Sequence, residues 1–109
     1  IGFWLALEDA NIENGCLQAI TGGHSIPLKK RFKLAANGGT EFEILDDSPW
    51  PNQSLDLLEV KAGTLIVLHG QLPHYSAANT SNRSRQAFSL HLVDQNCQYA
   101  EDNWLQSLI

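Results

Sequence analysis

The order of apolar and polar residues along the chain predicts a series of short β-strands. Four stretches are mostly apolar and have the length of a strand rather than of a helix: residues 1–7, 16–20, 57–60 and 64–69. Residues 41–44 and 85–93 alternate apolar and polar positions, which is typical of a strand with one exposed face. Turn-forming residues such as Asn14-Gly15 and Gly63 separate several of these segments.

The segments between the predicted strands have the composition of loops. Residues 29–31, with the sequence KKR, are expected to form a solvated surface loop, and residues 46–54 and 79–84 are further loops. Glu8 and Asp9 follow the first strand, where a capping or solvated role is expected. The tail from residue 95 is weakly amphipathic through three apolar residues: Trp104, Leu105 and Leu108.

Many short strands, turns rich in Gly and Asn, and little helix predict an all-β sandwich or jelly roll. No alternation of strands and helices occurs, so a nucleotide-binding α/β fold is not expected. The chain has 109 residues and is 43% hydrophobic, which is enough for one small domain with a packed core. Because Ile1 lies within a predicted strand, we expect that an N-terminal part of the domain precedes it.

Charge and composition exclude several classes of partner. The formal net charge is −5 and no basic run is present, which argues against binding to nucleic acid or to an anionic membrane. No signal peptide or membrane-spanning stretch is visible, so we expect a cytoplasmic protein. The two cysteines, Cys16 and Cys97, are expected to be reduced thiols rather than a disulfide.

The candidate chemistry lies between residues 61 and 91. The strand at 64–69 leads into a turn that would present His74 at the mouth of a barrel, and the next strand starts at Arg85. Antiparallel neighbours joined by a short loop can bring such residues side by side. Imidazole is a ligand for Fe(II), and a guanidinium can bind a carboxylate with two hydrogen bonds. By themselves, these residues favour a loop histidine with a backbone partner and allow a surface arginine at a strand end.

Several motifs resemble the phytanoyl-CoA dioxygenase family. Residues 2–10, GFWLALEDA, are similar to that family's Trp-hydrophobic-Ala-Leu-acidic-Asp segment, and residues 13–17, ENGCL, are similar to its Glu-Asn-Gly-Cys-Leu turn. His74, Ser76 and Arg85 match further family positions. The resemblance covers nearly the whole chain and implies a partial double-stranded β-helix of the jelly-roll, cupin-like type. Residues 1–109 would be the C-terminal portion of a single dioxygenase domain.

The resemblance also implies roles for individual residues. His74 matches an iron-binding histidine, while Ser76 and Arg85 match positions that hold the far carboxylate of 2-oxoglutarate, and Trp4 matches a residue that lines the cosubstrate pocket. The implied activity is an Fe(II)/2-oxoglutarate-dependent dioxygenase that hydroxylates a small or acyl substrate. Ascorbate is a candidate accessory reductant. Neither the substrate nor the oligomeric state follows from the sequence.

The chain departs from the family pattern in two places. Thr21-Gly22-Gly23-His24 stands where the family has Pro-Gly-Ser-His, and we expect His24 near the mouth of the site without binding metal. The family's His-x-Asp motif would lie before Ile1. That motif separates hydroxylases from halogenase variants, which have a small residue in place of the Asp.

Two alternatives remain open at this stage. The chain could be a non-catalytic β-sandwich binding module, or a cupin-like metal enzyme that uses His69, His74 and His91. Against the second alternative, His69 and His91 are expected to be core histidines with satisfied hydrogen bonds rather than metal ligands. Arg83 is expected to be a solvated neighbour of Arg85.

Overall fold

The computed structural model describes residues 1–106, and most of the regular structure in this range is β-strand. The eight strands are β1 (Gly2–Ala6), β2 (Leu17–Ala19), β3 (Lys30–Leu34), β4 (Thr40–Ile44), β5 (Asp56–Leu58), β6 (Leu65–Leu68), β7 (His74–Ser76) and β8 (Ala87–His91). A short 3₁₀ helix occupies Gly23–Ser25. Two compact units contain these elements: residues 1–26 with 51–93, and residues 27–50 with 94–109.

The first unit contains two three-stranded antiparallel sheets. In one sheet β1 lies between β6 and β8, and in the other β2 lies between β5 and β7. Each central strand therefore pairs with strands that come much later in the chain. This arrangement confirms the predicted all-β class and is a partial double-stranded β-helix of the jelly-roll type.

Successive side chains of a strand point to opposite faces, and this alternation decides which residues enter the core of the first unit. In β1, Trp4 and Ala6 are buried, while Phe3 and Leu5 on the opposite face are only half-buried. Trp4 and Ala6 pack with four other buried residues: Ala10, Cys16, Leu17 and Leu68. Full burial of one large apolar side chain stabilises a fold by about 1.5–3 kcal/mol. Trp4 is the largest member of this small cluster and is therefore a principal contributor to it.

The predicted alternation in residues 85–93 is confirmed for β8. Ser89 and His91 lie on the face that lines a cavity of the first unit, whereas Phe88 and Leu90 point to the other side and are 57% and 47% exposed. The turn predicted around Gly63 is also present, and Gly63 has φ +86°, a left-handed conformation that glycine adopts readily. These features follow directly from local sequence.

In the second unit, β3 and β4 form an antiparallel hairpin in which Phe32 pairs with Phe42. The prediction of a solvated loop at residues 29–31 was wrong, because β3 begins at Lys30 and Lys29 is only 6% exposed. The Lys29 ammonium donates to Asp46 Oδ2 at 2.8 Å and to the Ser48 carbonyl at 2.9 Å. These contacts replace the water that a buried ammonium loses, which explains how a basic run can form part of a sheet.

The tail of the chain belongs to the same second unit. The Trp104 ring packs against Phe32 with 5.7 Å between ring centres, and the Arg31 guanidinium donates to Asp102 at 2.6 Å. Leu108, part of the predicted amphipathic pattern, lies outside the described residues. Over residues 1–106, the structure contains no helix that is both long and apolar enough to span a membrane.

Candidate functional site

His74 opens β7, where it pairs with Ala19 of the central strand β2. The sequence placed this residue on a turn, and the structure instead places it in a strand that is anchored on one side. Its Nδ1 lies 2.9 Å from the Leu72 carbonyl oxygen. Because a carbonyl can only accept, Nδ1 carries the hydrogen and the lone pair is on Nε2. A histidine that donates from one ring nitrogen to a backbone carbonyl is oriented to bind a metal through the other.

Arg85, Ser76 and Trp4 form a contiguous group. Arg85 Nη2 donates to Ser76 Oγ at 3.2 Å, and the guanidinium carbon lies 5.5 Å from the centre of the Trp4 ring. Ser76 Oγ in turn donates to the Gly15 carbonyl at 2.6 Å. The hydroxyl hydrogen is therefore used on the backbone, and the guanidinium keeps further N–H groups for a ligand. The three residues singled out from the sequence are brought together by the fold.

Glu8 contacts the residues on both sides of Arg85. Its carboxylate accepts from the Ser84 hydroxyl at 2.7 Å and from the Gln86 amide at 2.8 Å. The hydrogen bond from Ser84, and then the one from Gln86, hold the pKa of Glu8 below its usual value. The expected capping role is confirmed, but its link to Arg85 was not foreseen. No local signal could have shown it, because Glu8 and Gln86 are 78 positions apart in the sequence.

Asp9 caps a different turn in the same way. Its carboxylate accepts from the Ala62 amide at 2.9 Å and from the Lys61 ammonium at 2.9 Å. The Lys61 contact, followed by the Ala62 contact, lowers the pKa of Asp9. The two acidic residues that follow β1 therefore hold the starts of β8 and β6 respectively.

A cavity of about 370 Å³ lies beside this group in the first unit. Its lining includes three of the predicted site residues, Trp4, His74 and Ser76. Arg85 does not line the cavity directly but contacts both Trp4 and Ser76, which do. The cavity therefore has an imidazole on its wall and a guanidinium in contact with two residues of that wall.

The other histidines are arranged differently from the sequence expectation. His69 and His91 both line the cavity and are exposed, so the prediction that they are core residues was wrong. The ring of His24 packs at 5.2 Å from the ring of His69, in agreement with its expected place near the mouth of the site. Within residues 1–106, no three His, Cys, Asp or Glu side chains are grouped closely enough to bind a metal. His69, His74 and His91 line the same cavity, but among the described residues they are not grouped as a set of metal ligands.

Comparisons with known proteins identify the family of the chain. Residues 1–87 match the sequence profile of the phytanoyl-CoA dioxygenase (PhyH) family. The chain is 45% identical to phytanoyl-CoA dioxygenase of Arabidopsis thaliana over 109 residues, which is 96% of this chain and 37% of that protein. It is 46% identical to phytanoyl-CoA dioxygenase 1 of Oryza sativa subsp. japonica, over 99% of this chain and 38% of that protein.

A third relative is more distant in sequence. The phytanoyl-CoA dioxygenase domain-containing protein 1 homolog of Dictyostelium discoideum is 39% identical over 95% of this chain and 39% of that protein. The chain thus spans well under half the length of these relatives. The profile match nevertheless covers most of the chain, including Trp4, His74, Ser76 and Arg85. The chain belongs to the phytanoyl-CoA dioxygenase family.

Proposed function

We propose that the protein is an Fe(II)/2-oxoglutarate-dependent dioxygenase and that this chain carries one iron ligand and the cosubstrate anchor. The observation that supports the proposal most strongly is the placement of a metal-competent imidazole, His74, in the same cavity wall as Ser76, which hydrogen-bonds Arg85. A cosubstrate that binds a metal at one end and carries a carboxylate at the other requires both groups.

The residues present fit this pair of ligands. Nε2 of His74 carries a lone pair for the metal, since Nδ1 is committed to Leu72. The Arg85 guanidinium has N–H groups beyond the one used on Ser76 and can offer a charge-assisted pair to a carboxylate. When bound, iron and 2-oxoglutarate would supply the oxidising chemistry: with O2 as the oxidant, 2-oxoglutarate would be decarboxylated to CO2 and succinate, which takes one oxygen atom of O2, and the other oxygen atom would enter a C–H bond of the substrate.

The residues of this chain contribute binding and orientation. Arg85 binds the far carboxylate while Ser76 Oγ accepts from the guanidinium and orients it, and the buried Trp4 ring supports the guanidinium from one side while excluding water. Glu8 keeps the backbone around Arg85 in place. We further propose a small-molecule or acyl substrate, ascorbate as accessory reductant, and a cytoplasmic setting, which accords with the two free cysteines.

The proposal is tested by titrating 2-oxoglutarate at fixed iron in the full-length protein, with succinate as the readout. Arg85→Lys replaces a planar guanidinium, which can make two hydrogen bonds to a carboxylate, by a single ammonium charge. Arg85→Ala removes both the charge and the hydrogen bonds. Losing such contacts costs roughly 1.5–3 kcal/mol, or about a ten- to hundredfold higher half-saturation. Iron affinity should not change, because Arg85 is not a ligand.

Arg83→Ala is the matched control. Arg83 precedes Arg85 by two residues and, among the described residues, makes no hydrogen bond to Ser76 and no cation–π contact with Trp4. It should leave the half-saturation within about twofold of the wild type. An unchanged half-saturation in Arg85→Ala would remove the anchor role, and a wild-type protein that forms no succinate would contradict the dioxygenase itself and favour a binding module.

A further inference from the structure

A single turn between β1 and β2, centred on Asn14, contacts the segment that joins β7 to β8 at three points. The carbonyl of the residue before Asn14 accepts from the amide and the hydroxyl of Thr80, at 3.0 Å and 3.2 Å. The carbonyl of the residue after it accepts from Ser76 Oγ at 2.6 Å. Between them, the Asn14 side chain donates to the Ser84 carbonyl at 3.5 Å. The turn therefore contacts the start, the middle and the end of the segment that leads into Arg85.

The hydrogen bonds of the Asn14 side chain fix the orientation of its amide. Asn14 is only 3% exposed, and its Oδ1 accepts from the Asn11 amide at 2.8 Å. Because a backbone N–H can only donate, the oxygen must lie on that side. Nδ2 then faces two carbonyls, that of Asp9 at 2.8 Å and that of Ser84 at 3.5 Å. Both hydrogens of Nδ2 are therefore used on backbone that borders the site, since Asp9 follows β1 and Ser84 precedes Arg85.

Asn14 acts on the peptide unit that contains the Arg85 nitrogen. A peptide unit is planar, so a contact that holds the Ser84 carbonyl also limits rotation of the Arg85 N–H in the same plane. The Glu8 carboxylate binds the Ser84 hydroxyl at 2.7 Å and the Gln86 amide at 2.8 Å. A carboxylate cannot hold a carbonyl, because both groups only accept, so holding the Ser84 carbonyl requires a donor such as the Asn14 amide.

We propose that Asn14 is a positioning residue for the cosubstrate anchor: its side-chain amide holds the Ser84 peptide so that the Arg85 guanidinium faces the far carboxylate of 2-oxoglutarate. The inference rests on the proposed function and adds to it a residue that acts only through Arg85. The same turn binds Ser76, the hydrogen-bond partner of the guanidinium, so one turn places both members of that pair.

The test compares two substitutions that add the same charge to the same turn. Asn14→Asp keeps the shape of the side chain but places an acceptor against two carbonyls. Asn11→Asp is the matched control, because Asn11 Oδ1 accepts from the Asn14 amide at 3.0 Å, as a carboxylate can, and within residues 1–106 its Nδ2 makes no hydrogen bond. In the full-length protein, Asn14→Asp should raise the 2-oxoglutarate half-saturation for succinate formation about tenfold, and Asn11→Asp should stay within about twofold. Asn14→Ala, which removes the donor without adding repulsion, should fall between them.

Further readouts separate positioning from a general loss of stability. In variants that circular dichroism shows to be folded, the Fe(II) affinity and the maximal rate at saturating 2-oxoglutarate should stay within about twofold of the wild type. In an Arg85→Ala background, Asn14→Ala should change the half-saturation by less than about twofold, because the group that it positions is gone. An equal increase in both backgrounds would overturn the inference. So would a parallel loss of iron affinity, or a wild-type half-saturation in folded Asn14→Asp.

The wild-type protein tests the same contact without a substitution at Asn14, and decides the matter if the Asn14 variants do not fold. In full-length protein with ¹⁵N-labelled asparagine and Zn(II) as a diamagnetic substitute, 2-oxoglutarate should shift the side-chain amide signals of Asn14 and not those of Asn11. The shift should be absent in Arg85→Ala. An unchanged Asn14 signal in a protein that binds 2-oxoglutarate contradicts the positioning role alone. A wild-type protein that does not bind 2-oxoglutarate contradicts the proposed function, and with it this inference.

Discussion

The guanidinium carbon of Arg85 lies 5.5 Å from the centre of the Trp4 ring, and the two groups form a cation–π contact. Trp4 belongs to β1 and is only 8% exposed, and Arg85 lies just before β8, the neighbouring strand. One aromatic residue therefore serves both the core and the anchor. A change at Trp4 should affect stability and cosubstrate binding together, and in proportions that depend on the replacement.

Trp4→Phe keeps an aromatic face under the guanidinium, whereas Trp4→Leu removes it. A cation–π contact contributes about 0.5–1 kcal/mol, so Trp4→Leu should raise the 2-oxoglutarate half-saturation about two- to fivefold. Trp4→Leu should also lower the unfolding free energy by about 2–4 kcal/mol, because a large buried side chain becomes smaller. Urea unfolding and a 2-oxoglutarate titration measure the two effects. A folded Trp4→Leu variant with wild-type half-saturation would show that the stacking contact has no part in binding.

His74→Ala should abolish succinate formation and weaken Fe(II) binding on the order of a hundredfold or more, because a direct ligand is lost. The fold should persist, since the exposed ring contributes one hydrogen bond to Leu72, a contact that is worth about 0.5–1.5 kcal/mol. Metal titration followed by calorimetry, with circular dichroism for the fold, checks both statements. Arg85→Ala is the control for this variant, because it should weaken 2-oxoglutarate binding and leave the iron affinity unchanged. Iron affinity retained in His74→Ala would contradict the ligand assignment.

Gly15→Ala should destabilise the first unit by displacing the turn that supports Ser76. Gly15 has φ +84°, and an added Cβ would lie 2.6 Å from the Ala77 carbonyl oxygen. Gly63→Ala is a matched control, because Gly63 has φ +86° with open space around its Cβ position. Both variants pay the left-handed backbone cost of about 1–2 kcal/mol, and only Gly15→Ala adds a clash.

Thermal unfolding should therefore rank the wild type above Gly63→Ala and Gly63→Ala above Gly15→Ala. Because the Gly15 carbonyl accepts from Ser76 Oγ, the Gly15 variant should also raise the 2-oxoglutarate half-saturation, while the Gly63 variant should not. Equal stability of the two variants would mean that the Ala77 contact relaxes without cost.

Glu8→Gln should change how stability depends on pH. In the folded protein the pKa of Glu8 lies below its usual value of 4.5, because Ser84 and then Gln86 donate to the carboxylate. A lowered folded pKa gives stability that is present above the usual pKa and is lost as the pH falls through the folded value. The wild type should therefore exceed Glu8→Gln in stability near neutral pH, and the gap should close as the pH falls below 4.5.

Urea unfolding of the wild type and Glu8→Gln, from neutral pH to below pH 4.5, measures the difference between their unfolding free energies. Lys30→Gln, a charge-removing change at an exposed residue of the second unit, serves as a control for general charge effects. A gap that stays constant with pH would show that the Glu8 charge does not contribute through Ser84 and Gln86. The same Glu8 variant should raise the 2-oxoglutarate half-saturation less than Arg85→Ala does, because it acts only through the backbone next to Arg85.

Local sequence was sufficient for strands whose apolar residues face a core, such as β1, β6 and β8. It failed at the start of β3, where the basic residues 29–31 suggested a solvated loop. There the polar side chains are satisfied across the hairpin: Arg31 pairs with Glu43 at 3.0 Å, and Lys33 lies 3.6 Å from the same carboxylate group. Strand pairing decides whether a charged residue has a partner, and a single stretch of sequence does not contain that partner.

In the candidate site, too, some features could be predicted from the sequence and others could not. The closeness of His74, Ser76 and Arg85 was foreseen because they belong to one short segment and one family motif. The support from Glu8 was not foreseen. Glu8 reaches Gln86 only because β1 and β8 pair in register. Contacts of this kind exist only once the chain is folded.

The central place of β1 also sets the order of events during synthesis. Gly2–Ala6 pairs with Leu65–Leu68 and Ala87–His91, so its first partner is made about 60 residues later. At roughly 5–20 residues per second, β1 stays without either neighbour for roughly 3–12 s after it is translated. During that time neither β6 nor β8 can cover Phe3, Trp4 and Leu5.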